Sequence, residues 1–161
     1  MINREFSGLN NTRLNYTTHL YGCCIKEVLI NLVWLNAQLI KQTEEAVLKL
    51  KKTDFFVAYR QGWRGKLVLK FASDVKCTKK NREQSGSDLG RSGIFTALDQ
   101  QHQKIKQLLD FCIHSDVNTN VIPYGRWGLF KVSAGDMFEY MLTVQKQHFM
   151  LARRILMLQD L

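Results

Sequence analysis

Apolar positions in the last third of the chain recur with a helical period. Met137, Met141, Val144, His148, Leu151, Ile155 and Leu158 follow one another at alternating steps of four and three, which keeps their side chains on one face of a helix. The spacing predicts a helix of about 26 residues beginning at Ser133 and roughly 40 Å long at 1.5 Å per residue. Ser133 stands three positions before Asp136, so its hydroxyl can take a free amide of the first turn while the carboxylate answers the positive helix end. A Pro- and Gly-containing stretch, VIPYGRWG, precedes this start and reads as a turn.

Two further helices are predicted upstream. From about Cys24 to Lys51, an apolar stripe runs through Ile25, Val28, Leu32, Leu35, Leu39 and Ala46. Cys24 occupies the place where a capping box puts Ser or Thr, with Glu27 three residues later. From Ile94 to Ile113, Phe95, Leu98, His102, Ile105, Leu109 and Cys112 again step by threes and fours. Between them, KLVLKFA (66–72) suits a short helix or an extended piece, and the polar, Ser- and Gly-rich 76–93 reads as a surface loop. Residues 1–21 are Asn-rich, with scattered apolar positions, and make a weak case for an incomplete first helix. Three long helices with wide apolar faces need a fourth element, from this segment or from a second subunit, so a homodimer is expected.

Composition limits the choices. With 161 residues, 45% of them hydrophobic, and no shift in composition, the chain is expected to form one domain over 1–161. No apolar run approaches the length of about eighteen residues that a membrane span needs, and MINREFSGLNNTRLNY has no hydrophobic region like that of a secretion signal. A soluble, cytoplasmic protein is the expectation. Cys23, Cys24, Cys77 and Cys112 form no CxxC pair, and reduced thiols are expected rather than a disulfide framework.

The net charge of +9 is concentrated in one region. Residues 49–91 hold twelve Lys or Arg against four Asp or Glu, and the rest of the chain is almost balanced. One reading is a solvated segment that raises solubility. The other is a platform for nucleic acid or an anionic surface, with Arg60, Trp63, Arg64, Lys66, Lys70, Lys76, Lys79, Lys80 and Arg82 meeting phosphates.

Chemistry-bearing motifs are few. There is no Gly-rich phosphate loop and no HExxH. Asp136 and Glu139 lie in the first turns of the last helix, where charge placement accounts for them. Cys112 reads as a small buried hydrophobe, while Cys23 and Cys24 stand near a helix start. His148 is the candidate with most to argue over, and His102, on another apolar seam, is placed to reach it across the helices.

Three blocks carry a resemblance: IKEVLINLVWLNAQLI (25–40), RGKLVLKFASDVKCTKK (64–80) and VIPYGRWGLFKVSAGDMFEYMLTVQKQHFMLARRIL (121–156). Together they resemble the DinB/YfiT-like superfamily. The resemblance implies an all-α, up-and-down four-helix bundle, with a long basic connection between the second and third helices and a divalent metal held between helices by three histidines. The family's HxxxH on the last helix falls on Val144 and His148, and its second-helix histidine falls on Asn31. Two of the three ligands are replaced. LVWLNAQLI also resembles the first helix of other members, in which case residues 60–80 would supply the second ligand helix, and they contain no histidine.

Valine offers no donor atom and a side-chain amide is a weak ligand for zinc or nickel. The expectation is therefore a degenerate metal site, with no catalytic residue and no cofactor, in a binding or interaction module. A core histidine hydrogen-bonded to Asn31 is the leading reading of His148. A pocket lined by Asn31, Val144 and His148 that holds an unknown small molecule comes second. The alternative function is a metal-dependent hydrolase or thiol S-transferase in which His148 remains a ligand to zinc or nickel.

Overall fold

The computed structural model describes residues 3–72, 89–124 and 130–159. Along them lie the helices α1 (Asn3–Ser7), α2 (Asn11–Asn15), α3 (Ile25–Val47), α4 (Trp63–Ala72), α5 (Arg91–Phe111) and α6 (Ala134–Met157), and the strands β1 (Asn120–Tyr124) and β2 (Phe130–Ser133). The strands pair antiparallel, with a register shift between Asn120 and Ile122. The expected DinB/YfiT-like four-helix bundle is thus corrected. The described residues hold six helices rather than four, and a two-stranded sheet that an all-α reading leaves out. Residues 73–88 of the basic connection, with most of its expected loop, lie outside the described residues.

The two long predicted helices with the clearest caps form where the spacing puts them. Ser133 caps α6 by accepting the Asp136 N–H at 3.0 Å, and Asp136 Oδ2 accepts the Ser133 N–H at 3.4 Å. Met137, Met141, Val144, His148, Leu151 and Ile155 are all buried along it. Cys24 precedes α3, and Glu27 Oε2 accepts its N–H at 3.0 Å. α3 is buried on more than the expected stripe, because it packs against both α5 and α6.

The buried face of α5 is turned by one position from the expected seam. Ile94, Leu98, Ile105 and Leu108 are buried, whereas His102 and Leu109 are exposed. Both seams carry apolar residues, so periodicity alone does not choose between them. The inward polar position belongs to Gln101, whose Nε2 donates to Val33 O at 2.7 Å across the helix pair.

The missing fourth side is filled piecemeal. The N-terminal segment breaks into two single-turn helices, the second capped by Asn10 Oδ1 accepting the Arg13 N–H at 2.9 Å. Phe6, Leu9 and Leu14 from it enter the core. Phe6 stacks on Phe149 with ring centroids 6.2 Å apart, and Arg153 pairs with Glu5 at 2.6 Å. α4 covers the start of α6, with Gly65, Val68 and Ala72 inward.

A strap joins α3 to α4 over the ends of α5 and α6. Thr53 N–H donates to His114 O at 3.0 Å and Asp116 N–H to Lys51 O at 3.1 Å. Farther along, Asn118 accepts the Arg60 N–H at 2.8 Å and donates to Ala58 O at 3.1 Å. These bonds hold residues 55–59 beside the end of α5, although Phe55 and Phe56 are exposed.

Candidate functional site

Where the strap crosses the helices it leaves a cavity of about 450 Å³, within the size range of small-molecule sites. Phe56 and Val57 form one wall, Leu109, Cys112 and Ile113 from the end of α5 a second, and Phe138 and Leu142 from α6 a third. Leu109, Ile113 and Leu142 remain 41%, 48% and 52% exposed, so an apolar groove stands open to solvent. The polar groups of the lining are those of Tyr59 and Glu139 at one end.

That end is built from contacts between residues far apart in the chain. Tyr59 Oη lies 2.9 Å from Asp136 Oδ1 and 2.6 Å from Glu139 Oε2. A phenol has one proton and can donate it to one carboxylate at a time. Gln61 Nε2 donates to Glu139 Oε2 at 2.9 Å, and Gly62 N–H to Asp136 Oδ1 at 3.3 Å. Asp136 therefore sits at the amino ends of both α6 and α4, where helix dipoles favour its charge. Burial, and then its bonds to Glu139 and Asp136, push the Tyr59 phenol well above its ordinary ionisation range.

Glycine at two positions permits this approach. A Cβ on Gly65 would strike the Asp136 carboxylate, and one on Gly135 would strike the Tyr59 ring. Neither residue has positive φ, so close packing rather than backbone conformation demands glycine here.

From the sequence, Asp136 and Glu139 are accounted for by charge placement at a helix start, and Tyr59 is not singled out. Asp136 does cap its helix. Its bond to Tyr59 spans 77 residues, and no local spacing signals such a pair.

The structure brings Asn31, Val144 and His148 together, away from this cavity. Asn31 Nδ2 lies 3.1 Å from His148 Nε2, and His148 Nδ1 lies 2.8 Å from Val144 O. A carbonyl only accepts, so Nδ1 carries the proton and Nε2 accepts from the amide. Burial holds His148 below the ordinary imidazole range, opposed by the Val144 bond. These residues do not fit a divalent metal. Both imidazole nitrogens are occupied, the amide presents its NH2 group, and the third position is a valine. Among the described residues no three His, Cys, Asp or Glu side chains gather as a possible metal site. The metal-binding expectation for His148 is corrected on that geometry, and exposed His102 is not a second ligand.

The cysteines require a correction as well. Cys23 is disulfide-bonded, while Cys24 and Cys112 are free and buried. The expectation of reduced thiols is overturned at Cys23. Burial raises both free thiols, so neither is an activated nucleophile.

Of the basic residues, Arg60, Arg64, Lys66 and Lys70 are described, and Lys76, Lys79, Lys80 and Arg82 lie outside the described residues. Arg64 is half-buried, donating to Lys131 O at 3.2 Å and lying 5.3 Å from the Trp63 ring centroid. Lys66 and Lys70 are exposed on α4. No helix among the described residues is long and apolar enough to cross a membrane.

Comparison with known proteins places no relative beside this chain: no family model, no curated protein and no solved structure matches it.

Proposed function

We propose that the protein is a non-enzymatic binding module and that the cavity beneath the strap holds a small apolar or amphipathic molecule. One observation carries this reading: a cavity of about 450 Å³ walled by aliphatic and aromatic side chains, with polar groups confined to one end. The absence of an activated group in its lining supports binding over chemistry. Its thiol, Cys112, and its phenol, Tyr59, are both pushed up, toward their neutral forms. His148 does not line it.

Cys112 makes the reading testable. In a reaction with a small neutral methanethiosulfonate, 1-octanol slows modification of Cys112 and leaves Cys24, at the start of α3, unaffected. Equal rates with and without the alcohol, or equal slowing at both thiols, contradict the proposal. A second copy of the chain is the competing occupant of the groove. Sedimentation as a dimer, with Cys112 already protected and indifferent to octanol, would put the expected homodimer in place of a ligand.

A second reading rests on α4. Trp63, Lys66, Leu67 and Lys70 share its outer face, and Trp63 is 71% exposed. Aromatic, cationic and aliphatic groups on one face suit an anionic lipid surface. Co-sedimentation with phosphatidylserine vesicles that weakens with salt and with Trp63→Ala supports this reading. Binding to nucleic acid that ignores Trp63 replaces it with phosphate contacts alone, and no binding at low salt removes it.

A further inference from the structure

The two carboxylates at the end of the cavity are not equally provided for. Asp136 is 2% exposed and accepts from Tyr59, Gly62 and its own capping partner, Ser133, at the amino ends of two helices. Glu139 lies one turn farther on, lines the cavity, and takes both of its bonds, from Tyr59 and Gln61, on Oε2. No cation of the described residues lies within ion-pairing distance of either carboxylate. Because the Tyr59 proton serves two acceptors, its donation leaves one of them short.

We infer that the ligand is an amphipathic amine, its apolar body in the groove and its ammonium group on Glu139. The inference rests on the cavity reading above and adds the chemistry of the ligand's polar end. An ammonium offers three donors and a positive charge, which complements a carboxylate at the edge of an apolar space. Its positive charge adds Coulomb attraction to the hydrogen bond that the carboxylate would accept from any donor. An alcohol of equal length would fill the same groove and donate to the carboxylate, but would bring no positive charge. A fatty carboxylate would meet like charge. Chain length sets the apolar contribution equally for all three, so the head group alone separates them.

Isothermal titration with octylamine, 1-octanol and octanoate tests this on the full chain. The expected order is amine, then alcohol, then carboxylate, with the amine about tenfold ahead of the alcohol. Raising salt narrows the gap. Glu139→Gln keeps an acceptor for Tyr59 and abolishes the amine's advantage over the alcohol, and Glu139→Asp, which retains the charge, keeps part of the preference. Equal affinity for amine and alcohol, or a preference unchanged in Glu139→Gln, overturns the ammonium assignment and leaves the cavity reading standing. Failure of all three molecules to bind overturns both.

Discussion

Asn31 and His148 satisfy each other across α3 and α6, with Asn31 Nδ2 at 3.1 Å from His148 Nε2. With Nδ1 donating to Val144 O at 2.8 Å, the imidazole is a neutral, fully bonded core group.

A pH dependence follows. Burial lowers the His148 pKa from its ordinary 6.5 in the folded chain. The unfolded chain therefore binds more protons as pH falls below that value, and stability decreases until the folded pKa is passed. Urea denaturation should show wild type losing stability from about pH 6.5 downward, with a shallower loss in His148→Gln. Parallel profiles for the two proteins would contradict this account of the histidine.

Gly65 and Gly135 are required by the side chains facing them. Alanine at either should cost about 1–3 kcal/mol by overpacking, because Asp136 and Tyr59 stand where the new methyl would go. Gly8→Ala, with nothing within 4 Å, is the control. Denaturation midpoints check the contrast, and equal effects at all three glycines would count against it.

Tyr59 and Glu139 should prove coupled. Tyr59→Phe deprives both carboxylates of a donor and is expected to cost about 1–3 kcal/mol. A double-mutant cycle with Glu139→Gln should return an interaction of about 0.5–3 kcal/mol. Strict additivity would mean that the 2.6 Å bond contributes nothing.

The cap of α6 carries its own expectation. Ser133→Ala removes the acceptor of the Asp136 N–H and should cost about 1 kcal/mol, within a range of roughly 0.5–2. Thermal denaturation measures it, and a neutral substitution would show that water replaces the cap at no cost.

The α6 helix was legible because its seam, its Ser133 cap and Asp136 agree with one another. The pairing of Asn31 with His148 came from the resemblance, which aligned both with ligand positions, and not from the spacing along either helix. On α5, Leu108 and Leu109 both satisfy a helical period, and only the packing of α3 against Gln101 selects the first. The sheet was missed because NVIPY holds a proline that reads as a turn, although Pro123 sits exposed in a two-stranded pair. The Tyr59, Asp136 and Glu139 cluster was illegible for a different reason. Its parts lie on a strap and a helix that meet only after the chain has folded, and each alone looks like an ordinary surface residue.

The measurement that bears most directly on the central claim is a methyl-resolved NMR titration of the protein with 1-octanol. Saturable shifts confined to Leu109, Ile113, Val117 and Leu142, with Leu29 and Ile155 in the core unmoved, are the predicted result, and Leu142→Trp should abolish them by filling the groove. Shifts that never saturate, that spread evenly over core and groove, or that survive Leu142→Trp would contradict a ligand site beneath the strap.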